Sequence, residues 1–301
     1  MRIALATCRQ LPAWEVDDRC LHAALAARAV EVAQPAWDDG TVDWRSFAAV
    51  LIRTTWDYQE RREAFVAWAA RAGAVTRLFN PAAVVAWNTH KSYLRDLGAA
   101  GVPLLPTVWL MRGDRPDVGA LLRQHGWDAG FLKPCVGATA RQTLRFQGDA
   151  RGIASAQAHV EQLLPHEDLM LQPYLRTVER RGEWSAIFVA GELSHCVRKI
   201  PVPGDYRVQD DFGARDEPYV PTAAERQLAE HAAALLARAG GPCPGADGRP
   251  LLYARTDCLW LLDGSSVLSE LEAVEPSLFF RHRPATGGLL ADALLARLGR
   301  G

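Results

Sequence analysis

"YARTDCLWLLDGSSVLSELEAVEP", residues 253–276, sets Arg255, Asp257, Glu270 and Glu272 inside a stretch that otherwise reads as buried β-structure. Asp263-Gly264 at its centre is a strong signal for a two-residue hairpin turn. With those residues as the turn, Leu262 pairs with Ser265, Asp257 falls opposite Glu270, and Arg255 falls opposite Glu272. Side-chain alternation then gathers the four charged groups on one sheet face, with Ala254, Thr256, Cys258, Leu271 and Ala273 on the other.

Charges on such a face stand about 5 Å apart, where two like charges repel by about 3 kcal/mol at an effective dielectric of about 20. One arginine cannot neutralise three carboxylates, which leaves an excess of about two negative charges on the hairpin. Full solvation, a raised carboxyl pKa or bound cations would each relieve it. If cations are the answer, oxygen-only ligands point to magnesium, which is held by a few carboxylates together with substrate phosphates. For the hairpin alone, a solvated and salt-bridged face is the plainer reading.

The rest of the chain limits the choices. Its 301 residues approach the upper limit of one hydrophobic core, so two or three packed subdomains are expected. With 49% apolar and 23% charged residues it can fold alone, and a net charge of -1 with scattered arginines gives no footprint for nucleic acid. No run approaches the ~20 apolar residues of a membrane span. Six scattered cysteines without a C-x-x-C pair fit neither a zinc site nor a disulfide framework, so a reducing, cytoplasmic setting is expected.

In the first hundred residues short apolar runs alternate with amphipathic stretches. "RIALAT" and "FAAVLIR" read as strands, "DDRCLHAALAARA" as a helix, and "REAFVAWAARAG" as a helix closed by Gly73. This rhythm implies a parallel sheet, whose ligands sit at the carboxyl ends of strands. Arg53, Trp56 and Asp57 lie just past such an end and are candidates for substrate contact, Arg53 for a carboxylate and Trp56 for an apolar or planar part. From about residue 105 the strands shorten, and later segments include the helix "AAERQLAEHAAALLARAG" and a closing helix "GGLLADALLARLG". The expected division is an α/β first domain over 1–104, a small α+β middle domain over 105–165 and an α+β third domain over 166–301.

Groups suited to phosphate lie between. In "FLKPCVGATA", Lys133 ends an apolar strand and a small-residue loop follows around Gly137, where loop amides can cradle an anion. A lysine beside a turn is more often simply solvated, and Lys91 in "NTHKSYL" is as ambiguous. "LMLQPYL" ends near Gln172, with backbone groups and Tyr174 available to a planar base. "GEWSAIFVAGELSHCVRKIP" reads as two strands joined around Ala190-Gly191, with Glu183, Ser185, His195 and Lys199 as polar positions and His195 more a structural histidine than a ligand. Arg207 in "GDYRVQDDFG" is placed to stabilise developing negative charge.

Taken in order, "NTHK", "FLKPCVGAT", "LMLQPYL", "GEWSAIF", "VRKIPVPGDYRVQ", "YARTD" and "SELEAVEPSLFF" resemble the ATP-grasp superfamily of carboxylate–amine ligases, which includes glutathione synthetase and D-alanine–D-alanine ligase. "IRTTWDY", "GDYRVQ" and "ELEAVEPSLFF" look most like the subgroup of the cycloserine-forming cyclo-ligase of O-ureido-D-serine. The resemblance covers roughly the C-terminal two thirds. It implies a three-subdomain fold, α/β and α+β, with the nucleotide between the middle and C-terminal domains.

It also implies roles. Lys91 and Lys133 would contact the ATP phosphates under a loop through Gly137, Ala138 and Thr139. Gln172, Pro173, Tyr174 and Leu175 would form the hinge that receives adenine, Glu179 would hold the ribose, and Lys199 would reach adenine or phosphate. Asp257, Glu270 and Glu272 would ligate two magnesium ions, for which manganese can substitute. Arg207 and Arg255 would act in catalysis on the transferring phosphoryl group and the acyl phosphate, and Ser277 would touch substrate. Glu272 departs from the asparagine of many relatives, and Ala140 and Arg141 stand where relatives often have glycine, Arg141 adding a potential phosphate contact.

The activity implied is ligation of an amino-acid-like small molecule: ATP converts a carboxylate to an acyl phosphate, and an amine, or an intramolecular N–H or N–O group, displaces phosphate. A kinase on the same scaffold and a non-catalytic nucleotide-binding protein are the alternatives. No nucleic acid or membrane partner is expected, and a homodimer accords with the dimers common among relatives.

Overall fold

Strands separated by helices pair in parallel, because each crossover returns the chain to the same end of the sheet. In the computed structural model, which describes residues 1–11, 16–244 and 248–299, β1 (Arg2–Thr7), β2 (Glu31–Ala33), β3 (Ala49–Thr54) and β4 (Arg77–Phe79) form a parallel sheet in the order β2-β1-β3-β4. Ile3, Leu5 and Leu51 pack against α1 (Arg19–Ala27), and Ala4, Val50 and Ile52 against α2 (Arg62–Val75) on the other side. Gly73 does not close α2. A Cβ there would make ordinary contact with Ala82 and Leu78 at 3.7 Å, and the helix runs on to Val75. It ends where Thr76 turns extended and donates its hydroxyl to Phe47 O at 2.7 Å.

α3 (Ala82–Asn88) and α4 (Tyr93–Ala99) lead to a second, antiparallel sheet of β5 (Val108–Leu110), β6 (Ala129–Pro134), β7 (Leu144–Gln147) and β8 (Leu169–Pro173), in the order β5-β8-β6-β7. β8 lies beyond the 165/166 division expected from sequence texture, yet it sits between β5 and β6, so this sheet runs through Pro173. α5 (Val118–His125) and α6 (Ala150–Leu163) cover one face, where Leu132, Leu169 and Leu171 are buried. Strand alternation turns Phe131, Lys133 and Gln172 to the opposite face.

The third unit begins with α7 (Thr177–Arg181). Its antiparallel sheet holds β9 (Glu183–Val189), β10 (Glu192–Ile200), β11 (Arg215–Tyr219), β12 (Tyr253–Trp260) and β13 (Ser266–Glu272), in the order β11-β10-β9-β12-β13. β9 and β10 turn at Ala190-Gly191, both at positive φ (50° and 88°), the geometry a tight hairpin twist requires. α8 (Ala223–Ala234) covers only the first two thirds of the helix expected there, and the chain continues in turns through Ala237.

The β12–β13 hairpin keeps the expected pairing at its charged end and loses it at its tip. Arg255 faces Glu272 and Asp257 faces Glu270, but Leu262 and Ser265 do not pair. Instead Leu261 N–H donates to Ser265 O, Gly264 N–H donates back to Leu261 O, and Gly264 has φ of 86°. The loop is therefore three residues long, with glycine in the left-handed position. A bulge between Asp257 and Cys258, where Ser269 is the extra residue, restores the register. Two departures cancel, and the four charges still share a face.

That face changes character along its length. Tyr253, Ile187 and Val197 are buried against α9 (Ala285–Arg297) and the first sheet. Beyond Arg255 the same face carries Asp257, Ser185, Lys199 and Glu183 and is left open to the middle sheet. The opposite face, with Trp184, Ala186, Phe188, Ala254 and Cys258, is apolar and packs on α4 and α8. Asn80 joins the first unit to the third by donating to Tyr253 O and Ala273 O and accepting from Leu252 N–H.

Candidate active site

A cavity of about 510 Å³ lies between the middle and third sheets, with Trp56 and Tyr58 of the first unit in its wall. At one part of the wall Phe131, Tyr174 and Tyr206 form an aromatic cluster, Phe131 meeting Tyr206 edge-on at 5.3 Å, beside Leu175, Val178 and Leu259. Gln172 lines it too and donates to Thr107 Oγ1 at 2.8 Å. Pro173 has no N–H, and Tyr174 N–H is given to Ala129 O. This apolar, ring-lined part can hold a flat heterocycle.

Lys91, Lys133 and the loop from Gly137 to Thr139 line the next part. Lys91 Nζ donates to Gly137 O at 3.0 Å and to Glu270 Oε1 at 2.5 Å. Lys133 is only 8% exposed and has no hydrogen-bond or ion-pair partner among the described residues. Burial pushes its ammonium below the usual lysine range. A buried cation without a partner, open to a cavity, is a place for an anion. The loop has Thr139, Ala140 and Gln142 at positive φ, a left-handed conformation that glycine adopts without strain. Side chains fasten it: Gln59 accepts from Ala138 N–H at 2.5 Å, and Arg141 binds Glu167 through two hydrogen bonds. Arg141 is thus engaged elsewhere than at a phosphate.

The floor is the charged face. Arg255 grips Asp257 with two hydrogen bonds of 2.9 and 2.8 Å and also binds Glu272. Lys199 pairs with Glu183 and stands 3.3 Å from Asp257, which accepts from Ser185 Oγ at 2.5 Å. The hairpin charge count foresaw about two uncompensated negative charges. It left out Lys91 and Lys199, which arrive from other elements and pair with those carboxylates. Burial disfavours charge on Asp257, yet Arg255 and Lys199 hold it well below the usual carboxylate range. Burial, with Asp257 and Glu270 nearby, pushes Glu272 up to about 7.

Among the described residues no three His, Cys, Asp or Glu side chains converge to enclose an ion; each of the three carboxylates rests on a lysine or arginine. Their chemistry still suits a hard divalent cation, being oxygen-only and on one face beside phosphate-sized space. The elevated Glu272 is a carboxyl that a cation would help ionise.

Arg207 lines the cavity, locked on Asp205 by side-chain contacts of 2.7 to 3.1 Å. Ser277 lines it as well, its carbonyl accepting from Arg255 Nη1 at 3.0 Å. Three expected site residues are not in the wall. Arg53 is 2% exposed, bound through two 2.8 Å hydrogen bonds to Asp18 beneath the rings of Tyr253 and Phe280. Asp57 is buried on Trp37 Nε1 and Arg61. Glu179 accepts from Tyr174 Oη and Arg145. Other side chains engage each of them: Asp18 and Trp37 reach Arg53 and Asp57 from other segments, while Glu179 is held by the nearby Tyr174 and by Arg145 of β7.

Other wall residues were not among the expected site residues: Phe131, Tyr206 and Glu275, and Glu183, which was read only as a polar strand position. Alternation from Lys133 could have found Phe131, and alternation from Ser185 could have found Glu183. No local signal marked Glu275.

Comparison with known proteins agrees with this arrangement. Residues 3–80 match the family model of the N-terminal domain of D-cycloserine synthetase DcsG, and residues 106–247 match the ATP-grasp domain of prokaryotic glutathione synthetase. The cycloserine biosynthesis protein DcsG of Streptomyces lavendulae is 36% identical over 276 residues, 87% of either chain. Glutathione synthetase of Prochlorococcus marinus (strain MIT 9313) is 29% identical over 232 residues, 76% of this chain and 66% of that one. The crystal structure of D-cycloserine synthetase DcsG superposes with a TM-score of 0.86 at 31% identity, covering 99% of this chain and all of that one.

Proposed function

The chain belongs to the ATP-grasp ligases, in the family of D-cycloserine synthetase DcsG, and from that premise we propose that it closes a ring within an amino-acid-type substrate, O-ureidoserine being the first to test. The reaction class, ATP-dependent ligation using a divalent metal, is that of the family. The substrate and the roles below are our reading.

Adenine sits among Phe131, Tyr174 and Tyr206, with Leu175 at the hinge offering its backbone. Lys133, Lys91 and the Gly137–Thr139 loop take the phosphates. Asp257, Glu270 and Glu272 hold two magnesium ions, which when bound offset phosphate charge and lower the barrier to phosphoryl transfer. A substrate carboxylate oxygen attacks the γ-phosphorus, ADP departs, and an acyl phosphate remains. The substrate nitrogen bonded to oxygen then attacks the acyl carbon, losing a proton as inorganic phosphate leaves. Arg255 neutralises charge on the acyl phosphate, and Arg207 does so after leaving Asp205. The ring product is one water lighter than O-ureidoserine, and hydrolytic loss of its carbamoyl group leaves cycloserine.

One observation carries this reading: the unpartnered, buried Lys133 opens onto the same cavity as an oxygen-only carboxylate face. Incubation with Mg-ATP and O-ureidoserine, followed by mass spectrometry, tests it. ADP and phosphate with a product one water lighter, or cycloserine, support it. A stable phosphorylated product favours a kinase, and nucleotide binding without turnover of any amino acid favours a non-catalytic protein.

A further inference from the structure

We propose that Glu275 determines substrate specificity by receiving the ammonium group of the amino-acid substrate. The inference rests on the reading of this cavity as that of a ligase for amino-acid-like molecules.

Five carboxylates around the cavity already have cations of the protein: Asp257 has Arg255 and Lys199, Glu272 has Arg255, Glu270 has Lys91, Glu183 has Lys199 and Asp210 has Arg281. Glu275 is different. It is 8% exposed, it lines the same cavity, and beyond its own backbone N–H its side chain has no hydrogen-bond or ion-pair partner among the described residues. A carboxyl so placed costs stability in the empty protein, because neither water nor a cation compensates it fully. Burial first, then Glu272 and Glu270, push it up to about 8, so in the empty cavity it is mostly neutral at pH 7. A bound cation would restore its charge.

The position suits an amino acid. Glu275 follows β13 by three residues, so it stands where the charged face passes into the wall formed by Trp56, Tyr58 and Ser277. Trp56 Nε1 donates to the carbonyl of Glu275 itself at 3.2 Å, which fixes this corner of the backbone. An α-amino acid carries its ammonium on the carbon next to its carboxylate. With that carboxylate at the Arg255–Glu272 end, the ammonium comes within reach of the wall just beyond, beside two aromatic rings that also favour a cation. Lys133 and Glu275 are then two buried ionisable groups of the cavity wall without an ion-pair partner among the described residues, one for each pole of the reacting pair: nucleotide phosphate and substrate ammonium.

The test compares amine and des-amino partners: O-ureidoserine against 3-(ureidooxy)propionate, D-alanine against propionate, and D-serine against 3-hydroxypropionate. Calorimetry on the full chain with Mg-AMPPNP bound reads affinity whether or not turnover follows. The wild type should favour at least one amine over its partner by about a hundredfold, and Glu275→Gln should erase most of that preference, with nucleotide affinity and magnesium requirement unmoved. The inference is overturned by an amine preference that survives in Glu275→Gln. It is equally overturned by no preference in any wild-type pair, or by a variant that changes the magnesium requirement in place of the amine preference. Product mass is a separate readout. If O-ureidoserine is not cyclised while another amine is preferred through Glu275, the cyclisation reading fails and this inference stands.

Discussion

Lys91 and Glu270, 179 residues apart in the chain, meet as an ion pair with Nζ 2.5 Å from Oε1. Each is a proposed ligand for one half of Mg-ATP, so in the empty cavity the two proposed binding groups satisfy each other. Mg-ATP would have to separate them. A double-mutant cycle with Lys91→Met and Glu270→Gln should give a coupling energy of about 1–3 kcal/mol without nucleotide, measured from urea midpoints. With saturating Mg-ATP the coupling should fall toward zero. An unchanged coupling would mean that the pair is structural and that nucleotide binds elsewhere.

Lys133 is a buried cation without a partner, so it should trade stability for function. Lys133→Met should raise the stability of the empty protein by about 0.5–2 kcal/mol and weaken ATP binding by at least about tenfold, a loss of about 1.4 kcal/mol. Urea denaturation and nucleotide titration of the same preparations check both halves. A destabilised variant with unaltered ATP affinity would contradict the assignment.

The carboxylate face should show itself through metal dependence. Chelation with EDTA should abolish ADP release, and Mg²⁺ or Mn²⁺ should restore it. Glu272→Gln should lower turnover by about a hundredfold or more, about 2.7 kcal/mol of barrier, and raise the magnesium concentration for half-maximal rate. Asp257 is a poorer first choice, because its removal takes one carboxylate partner from both Arg255 and Lys199.

His22 gives the folded state a distinct pH dependence. Burial holds its imidazole down to about 4 from a usual value of 6.5, with Arg53 adding to the effect and Asp18 opposing it. Between those two values the unfolded chain takes a proton that the folded chain refuses, so stability falls as pH drops from 6.5 toward 4. The total is on the order of 3 kcal/mol. His90 and His195 shift in the same direction, so the informative quantity is the difference between wild type and His22→Gln. Urea midpoints from pH 7 to 4.5 should slope less in the variant.

Much of the fold was legible because its signals are local. The βαβ rhythm specified a parallel sheet, and Ala190-Gly191 marked a turn that only positive φ at both residues could make. The hairpin shows both the strength and the limit of such reading. Its two-residue tip was wrong, since Gly264 closes a three-residue loop, but the bulge at Ser269 returned Asp257 to Glu270. Period-two alternation is robust to local irregularity when one face must be buried, and here the apolar set of Ala254, Cys258 and Leu271 enforced it.

Charge partners were a different matter. Sequence spacing could not say that Arg53 would be spent on Asp18, Glu179 on Tyr174 and Arg145, or Arg141 on Glu167. Nor could it show that Lys91 and Lys199 would neutralise the hairpin that looked overcharged alone. What the sequence determined by itself was the order of the elements and the face on which each charged side chain stands, because propensity and alternation act over a few residues. Which charges find each other, and that Lys133 and Glu275 face the cavity without an ion-pair partner among the described residues, was decided by the packing of three sheets. Burial and Coulomb energy depend on distances in space, and segments far apart in the chain set those distances.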